Sequence, residues 1–275
     1  MTGTETTEAS DRGAAEEPAA RYERRGHVGL LTLNRPRAMN AVNAALSRAA
    51  GDALAAAAAD DDVRTVVITG AGRGFCAGAD LKEVARGNRI DDRDHPERGF
   101  AGLVRQWIDK PTVAAVNGFA LGGGTEIVLA CDLAVIDETA SLGLPEVQRG
   151  LMAAAGGVIR LSRQIPQKVA LEAALTGEPI GAARAYELGL VNRVAPEGTA
   201  LEVAIAVAET IARNAPLSVQ HTKRVVHRSR DAGSDWDDPA WALSDEAMKV
   251  VFASRDAREG PTAFAEKRAP RWEGR

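Results

Sequence analysis

The chain has 275 residues, of which 45% are hydrophobic and 26% charged, with a formal net charge of −4. That length supports one large domain or two small ones with ample core, in the composition range of soluble globular proteins. The acidic balance and the lack of a basic stripe argue against a nucleic-acid partner, and no apolar run reaches the roughly 18 residues of a transmembrane helix.

The first 20 residues carry five acids against one arginine and no apolar core of a secretory signal; they are expected to form a disordered tail. The stretch HVGLLTLNRP, 27–36, alternates apolar and β-branched residues and stops at a proline, which predicts a strand and a turn. The alanine-rich segment 40–60 has apolar positions at helical spacing, and VRTVVITGAG, 63–72, reads as a buried strand running into a glycine loop. Residues 82–100 are dense in charge and lack a period, so a mobile loop or lid is expected. LVRQWIDK predicts a helix stopped by Pro111; TVAAVNG and LAVID follow as buried strands. From Lys168 onward the chain is mostly helical, clearest in ALEAALTG and ALEVAIAVAETIARNAP. Strand and helix alternate through the first 140 residues, which predicts an α/β fold with largely parallel strands and right-handed crossovers.

Two stretches carry chemistry. VNGFALGGGTEIVLACD, 116–132, is a strand end, a glycine-rich loop and a helix, with a threonine and then a carboxylate after the glycines. VVITGAGRGFCAGADLKE, 66–83, repeats the design. Neither has the G-x-G-x-x-G spacing or the G-K-[ST] of a phosphate loop. Glycines let a ligand approach the backbone, and helix N-termini favour negative charge. Two such loops could each aim one N–H at a single oxygen, as in an oxyanion hole. The two cysteines, Cys76 and Cys131, cannot make a disulfide framework and suit a reducing cytoplasm. The four histidines show no metal-ligand spacing, so no metal is expected.

GRGFCAGADLKE, AVNGFALGGGTE, LGLPEVQRGL, LTGEPIGAARAYELGLVNRV and AFAEKRAPRW together resemble the enoyl-CoA hydratase/isomerase (crotonase) superfamily, in its order and spacing, from Tyr22 to Trp272. The resemblance implies a crotonase spiral of ββα units over 21–200 and a C-terminal helical trimerisation region over 201–275. It also implies an acyl-CoA substrate, with coenzyme A carried by the substrate and no separate cofactor, and a homotrimer or dimer of trimers. It assigns Ala77 and Gly123 as the two oxyanion donors, with Gly122 beside them. Glu126 becomes the base that activates water, and Glu146 the acid that protonates the α-carbon. Arg37, Ala38, Met39, Ala79, Asp80 and Leu81 fall in stretches that surround CoA. Phe264 and Lys267 match positions that reach the CoA of a neighbouring protomer. Familiar hydratases often carry P-G-x-G-G after the second glutamate; here MAAAGG puts Ala153 and Ala154 in place of the proline and first glycine. Alanine keeps an N–H but restricts φ and narrows the space. The expected reaction is reversible hydration of a trans-2-enoyl-CoA. An isomerase, a dehydratase of a more polar acyl-CoA, and a non-catalytic acyl-CoA- or RNA-binding relative stand as alternatives.

Overall fold

The computed structural model describes residues 17–275. Most of the expected tail, 1–16, lies outside them. Among the described residues, contacts begin before the expected boundary at residue 20: Ala20 is buried and opens the first strand, and Asn34 Nδ2 donates to Pro18 O at 2.9 Å.

Among the described residues, nine strands and ten α-helices follow in order. They are β1 (Ala20–Arg25), β2 (Val28–Leu33), α1 (Ala44–Ala59), β3 (Thr65–Gly70), α2 (Leu81–Ala85), β4 (Thr112–Val116), β5 (Phe119–Leu121), α3 (Gly123–Ala130), β6 (Leu133–Asp137) and β7 (Ser141–Gly143). Then come α4 (Gly157–Gln164), α5 (Gln167–Thr176), β8 (Ile180–Gly181), α6 (Ala182–Glu187), β9 (Arg193–Ala195), α7 (Ala200–Ala212), α8 (Pro216–Ser229), α9 (Asp238–Ala253) and α10 (Asp256–Ala265). Six strands form one sheet in the order β1-β2-β3-β4-β6-β9, parallel except for the β1–β2 hairpin. A small second sheet is β5-β7-β8.

The large sheet is covered on both faces, which is why its strands read as continuous apolar runs. Val67, Val113, Ala115 and Val135 pack under α7, whose alanines 200, 204 and 208 form a flat stripe at helical spacing. Val66, Ile68, Ala114, Val116 and Ile136 face the opposite core, with α1 and α3. Because α7 covers this face, it belongs to the core and not to an appended helical region; the helices beyond the sheet are α8–α10.

The spiral is visible in a second column of contacts. Val42 bridges Ala79, Cys76 bridges Ala120, and β5 pairs in parallel with β7 through Ala120↔Leu142. Each turn thus runs from a long strand, through a short extended piece, into a helix or a 3-10 turn. The loops that reach the site stack one above the next in this column.

Three sequence expectations shift. The helix expected from residue 40 begins at Ala44, capped by Asn43, whose side chain accepts the Leu46 N–H at 3.0 Å. The charged stretch 82–100 contains most of α2 and a 3-10 turn at Pro96–Arg98. LVRQWIDK, 103–110, is not a helix. Its side chains are claimed by long-range partners: Lys110 Nζ donates to Ala57 O at 2.8 Å, and Asp109 pairs with Arg224 at 2.8 Å. Tertiary demand overrides a short local preference there.

Candidate active site

Gly122, Gly123 and Gly124 turn β5 into α3, and each glycine answers to a neighbour. Gly122 sits at φ +54°. A Cβ on Gly123 would stand 2.3 Å from the Phe100 ring, and one on Gly124 would stand 2.2 Å from Cys76 O. The crossing is fixed by Thr125, whose hydroxyl lies 2.6 Å from Ala120 O and accepts the Gly143 N–H at 2.9 Å. Gly123 N–H, at the start of α3, finds no acceptor among the described residues and faces a cavity of about 280 Å³.

The second loop corrects one expected donor. Ala77 N–H is donated to Met39 O at 3.0 Å, so it is not available to a ligand. One residue on, Gly78 O accepts from Val42 N–H at 2.8 Å, and Asp80 N–H donates to Val42 O at 2.9 Å. Alternation along an extended chain then turns the intervening Ala79 N–H away from Val42. Ala79 lines the cavity, and its N–H has no acceptor among the described residues. Gly78, at φ +89°, makes the approach possible: its Cβ would be 2.8 Å from Leu121 O and 3.1 Å from Gly123 N. The two loops therefore bring Ala79 N–H and Gly123 N–H to one cavity.

Glu126 lies in the first turn of α3 and is only 3% exposed. Its Oε1 accepts the N–H of Gly157, the first residue of α4, at 2.8 Å. Burial pushes its carboxyl up to about 7, against the stabilising Gly157 N–H, and the Glu146 charge adds to the rise. Glu146 stands on the 3-10 turn Pro145–Arg149 and reaches the glycine turn that opens α3, where a Cβ on Gly122 would stand 3.0 Å from its Oε1; burial raises its carboxyl too. Its Oε2 is buried and has no hydrogen-bond partner among the described residues. The cavity thus holds two carboxyls and two free N–H donors, walled by Leu81, Ile90, Phe100, Leu151 and Met152.

The remaining expected positions divide. Leu81 lines the cavity. Asp80 does not: its carboxylate accepts Lys82 N–H at 3.2 Å, caps α2 and pairs with Arg35 at 3.0 Å. Arg37 and Ala38 form a 3-10 turn with Pro36, and Met39 follows in the left-handed region at φ +54°. That turn backs onto Ala77 from outside the cavity. Phe264 and Lys267 are exposed and do not line the cavity of their own chain. Sequence reasoning missed Phe100, the final aromatic of a stretch read as a charged lid, and Gly157, half of the GG pair in MAAAGG.

A family model described as enoyl-CoA hydratase/isomerase matches residues 23–275. The chain belongs to the enoyl-CoA hydratase/isomerase family. It is 40% identical over 262 residues to the enoyl-CoA hydratase EchA19 of Mycobacterium tuberculosis, covering 94% of this chain and 97% of that one. The solved carnitinyl-CoA hydratase of Mycobacterium avium is 55% identical, with 94% of this chain and 100% of that chain covered and a TM-score of 0.76. A crystal structure of enoyl-CoA hydratase from Mycobacterium tuberculosis is 46% identical over the same shares, with a TM-score of 0.86. The fold is accordingly the crotonase fold with a helical C-terminal region, as expected from the motifs.

Proposed function

We propose that this family member is an enoyl-CoA hydratase that adds water reversibly across trans-2-enoyl-CoA to give 3-hydroxyacyl-CoA. One observation carries the reading: Glu126 and Glu146 line one cavity with the unpaired N–H groups of Ala79 and Gly123. The thioester oxygen is held by those two donors, which strengthen as it becomes an enolate oxygen. Glu126 deprotonates the water that attacks the β-carbon; the Gly157 N–H favours its anion. Glu146 delivers its proton to the α-carbon, and its unpartnered Oε2 suits a carboxyl that keeps a proton. No cofactor enters beyond the CoA of the substrate. Two free thiols, both pushed up to about 12 by burial, fit a reducing cytoplasm. We include self-association as a trimer in the reading: α9 has no buried residue in the single chain and exposes Trp241, Met248 and Phe252.

The 55% identity to a carnitinyl-CoA hydratase favours a second reading, hydration or dehydration of a more polar acyl-CoA. The apolar wall and Arg149, the one basic lining residue among the described residues, favour the apolar acyl group. Loss of the conjugated enoyl-thioester absorbance, run in heavy-oxygen water, tests both readings. Label at the β-carbon with an apolar enoyl-CoA is expected. Double-bond migration without label would make the enzyme an isomerase, and turnover confined to carnitinyl-type thioesters would select the second reading.

A further inference from the structure

The ring of Phe100 stands against Gly123, on the wall of the cavity that holds both glutamates. What holds it there is unusual. Gly99 sits at φ +70°, ψ −161°, a region open essentially only to glycine. Ala101, fully buried, sits at φ +57°, and Gly102 at φ +67°. A Cβ on Gly102 would be 2.2 Å from Ser47 O and 2.8 Å from the Cα of Gly51, so the turn is pressed onto α1. On its approach, Arg98 pairs with Asp52 at 2.7 Å and reaches the buried Asp92 at 4.0 Å. Three residues with positive φ within four positions, Ala101 and Gly102 of them buried, persist only where packing over-determines them. Here they aim one ring at the carbon frame of the site. A ring fixed this firmly is a wall and not a gate. It occupies the space beside the Gly123 donor, which in the hydratase reading is where a substituent on the reacting carbons would project.

We propose that Phe100 is the specificity-determining residue of the acyl site: it admits enoyl thioesters unbranched at the α- and β-carbons and rejects those with a methyl group there. The proposal rests on the hydratase reading for its kinetic test and on the cavity alone for its binding test. The test compares crotonyl-CoA with its α-methyl and β-methyl homologues in wild type, Phe100→Leu and Phe100→Ala. Wild type is expected to favour crotonyl-CoA in kcat/KM by about tenfold or more, the usual discrimination for one carbon in an apolar pocket. Phe100→Ala is expected to shrink that ratio by about tenfold through faster turnover of the branched esters, with Phe100→Leu between. Gly102→Ala, which displaces the turn without entering the cavity, is expected to move the ratio in the same direction. If the alanine variant fails to fold, the leucine variant carries the same comparison. An unchanged ratio in a folded variant overturns the proposal, and so does an equal rate gain on all three esters, which would make Phe100 a plug. In parallel, competition binding compares butyryl-CoA with isobutyryl-CoA. If wild type hydrates none of the esters, the hydratase reading fails, while a preference for butyryl-CoA that disappears in the variants still supports Phe100; its persistence in the variants overturns the proposal.

Discussion

Gly157 donates its N–H to Glu126 Oε1 at 2.8 Å, and a Cβ on Gly157 would stand 3.0 Å from that oxygen and 2.8 Å from Ala153 Cβ. A helix start thus holds the carboxylate, in the first turn of another helix, at a distance that leaves no room for a side chain. The donor favours the anion of Glu126, but burial outweighs it and takes the carboxyl up to about 7. The consequences reach both stability and rate.

Between its ordinary value of 4.5 and about 7, Glu126 keeps a proton in the folded chain that the unfolded chain has lost. Stability from this group is therefore greatest at low pH and falls as pH rises through that window, by on the order of 3 kcal/mol in all. Glu126→Gln keeps an oxygen for the Gly157 N–H and removes the charge. At pH 8 it is expected to be more stable than wild type by up to about 3 kcal/mol, with the difference gone near pH 4. Denaturant titrations at both pH values check this, and a difference independent of pH would contradict it.

The same group is expected to set the acid side of the rate profile. With Glu126 as base, kcat/KM of wild type is expected to fall as pH drops below about 7. Glu126→Gln and Glu146→Gln should each lose roughly 100- to 10,000-fold in kcat, and the double variant far less than the product, because the two act as a unit. A flat wild-type profile from pH 5 to 8 would remove Glu126 from the role of base.

Ala79→Pro removes the N–H proposed for the oxyanion and leaves the Ala77–Met39 bond in place. A loss of at least about 100-fold in kcat is expected with the fold retained. Gly78→Ala would place a Cβ 3.1 Å from Gly123 N and should also lower kcat. Circular dichroism with steady-state rates decides; a folded Ala79→Pro at near-normal kcat would return the second donor to another N–H.

Lys267 lies outside the cavity of its own chain, and the contact proposed for it is to the CoA bound by a neighbour. Lys267→Ala is expected to raise KM for the CoA ester with little change in kcat, and less so at high salt. The left-handed backbone there, φ +54°, makes Lys267→Gly a useful control that removes the charge without strain. An unchanged KM at low ionic strength in both variants would make Lys267 an ordinary surface residue.

Asp132 anchors α8. Its carboxylate accepts Thr112 N–H at 2.7 Å and meets Lys223 Nζ and His227 Nε2, each at 2.8 Å. Burial pushes the Asp132 carboxyl up, but His227 and Lys223 outweigh it and the net shift is down. Asp132→Asn leaves the largely buried Lys223 charge unpaired and should cost about 3–5 kcal/mol. Hydrogen exchange on α8 and a denaturant curve measure it; a loss under about 1 kcal/mol would mean that Lys223 finds water instead.

Much of this was legible in the chain. The β-branched runs fixed β2, β3, β4 and β6, because a parallel strand buried on both faces has to be apolar throughout. Glu126 and the glycines before it stood out, because a carboxylate beside a buried helix is costly without a task. Glu146 was found only through the family frame; after a proline in a short turn it carries no signal of its own.

The rest belonged to the tertiary structure. No pattern in CAGAD tells which N–H is free. The choice of Ala79 over Ala77 depends on Val42 and Met39, about forty residues away, which take the neighbouring groups. LVRQWIDK has helical residues, yet Lys110 and Asp109 are bound to α1 and α8, and those contacts outweigh one turn's propensity. Phe100 looked like the end of a charged loop until Gly102 packed against α1 and turned its ring onto Gly123. Sequence determined which segments are buried and where charge is out of place, because burial and propensity are local costs. Which donors stay open and which ring walls the cavity were decided by partners distant in sequence, because hydrogen bonds and close packing are settled pairwise in space.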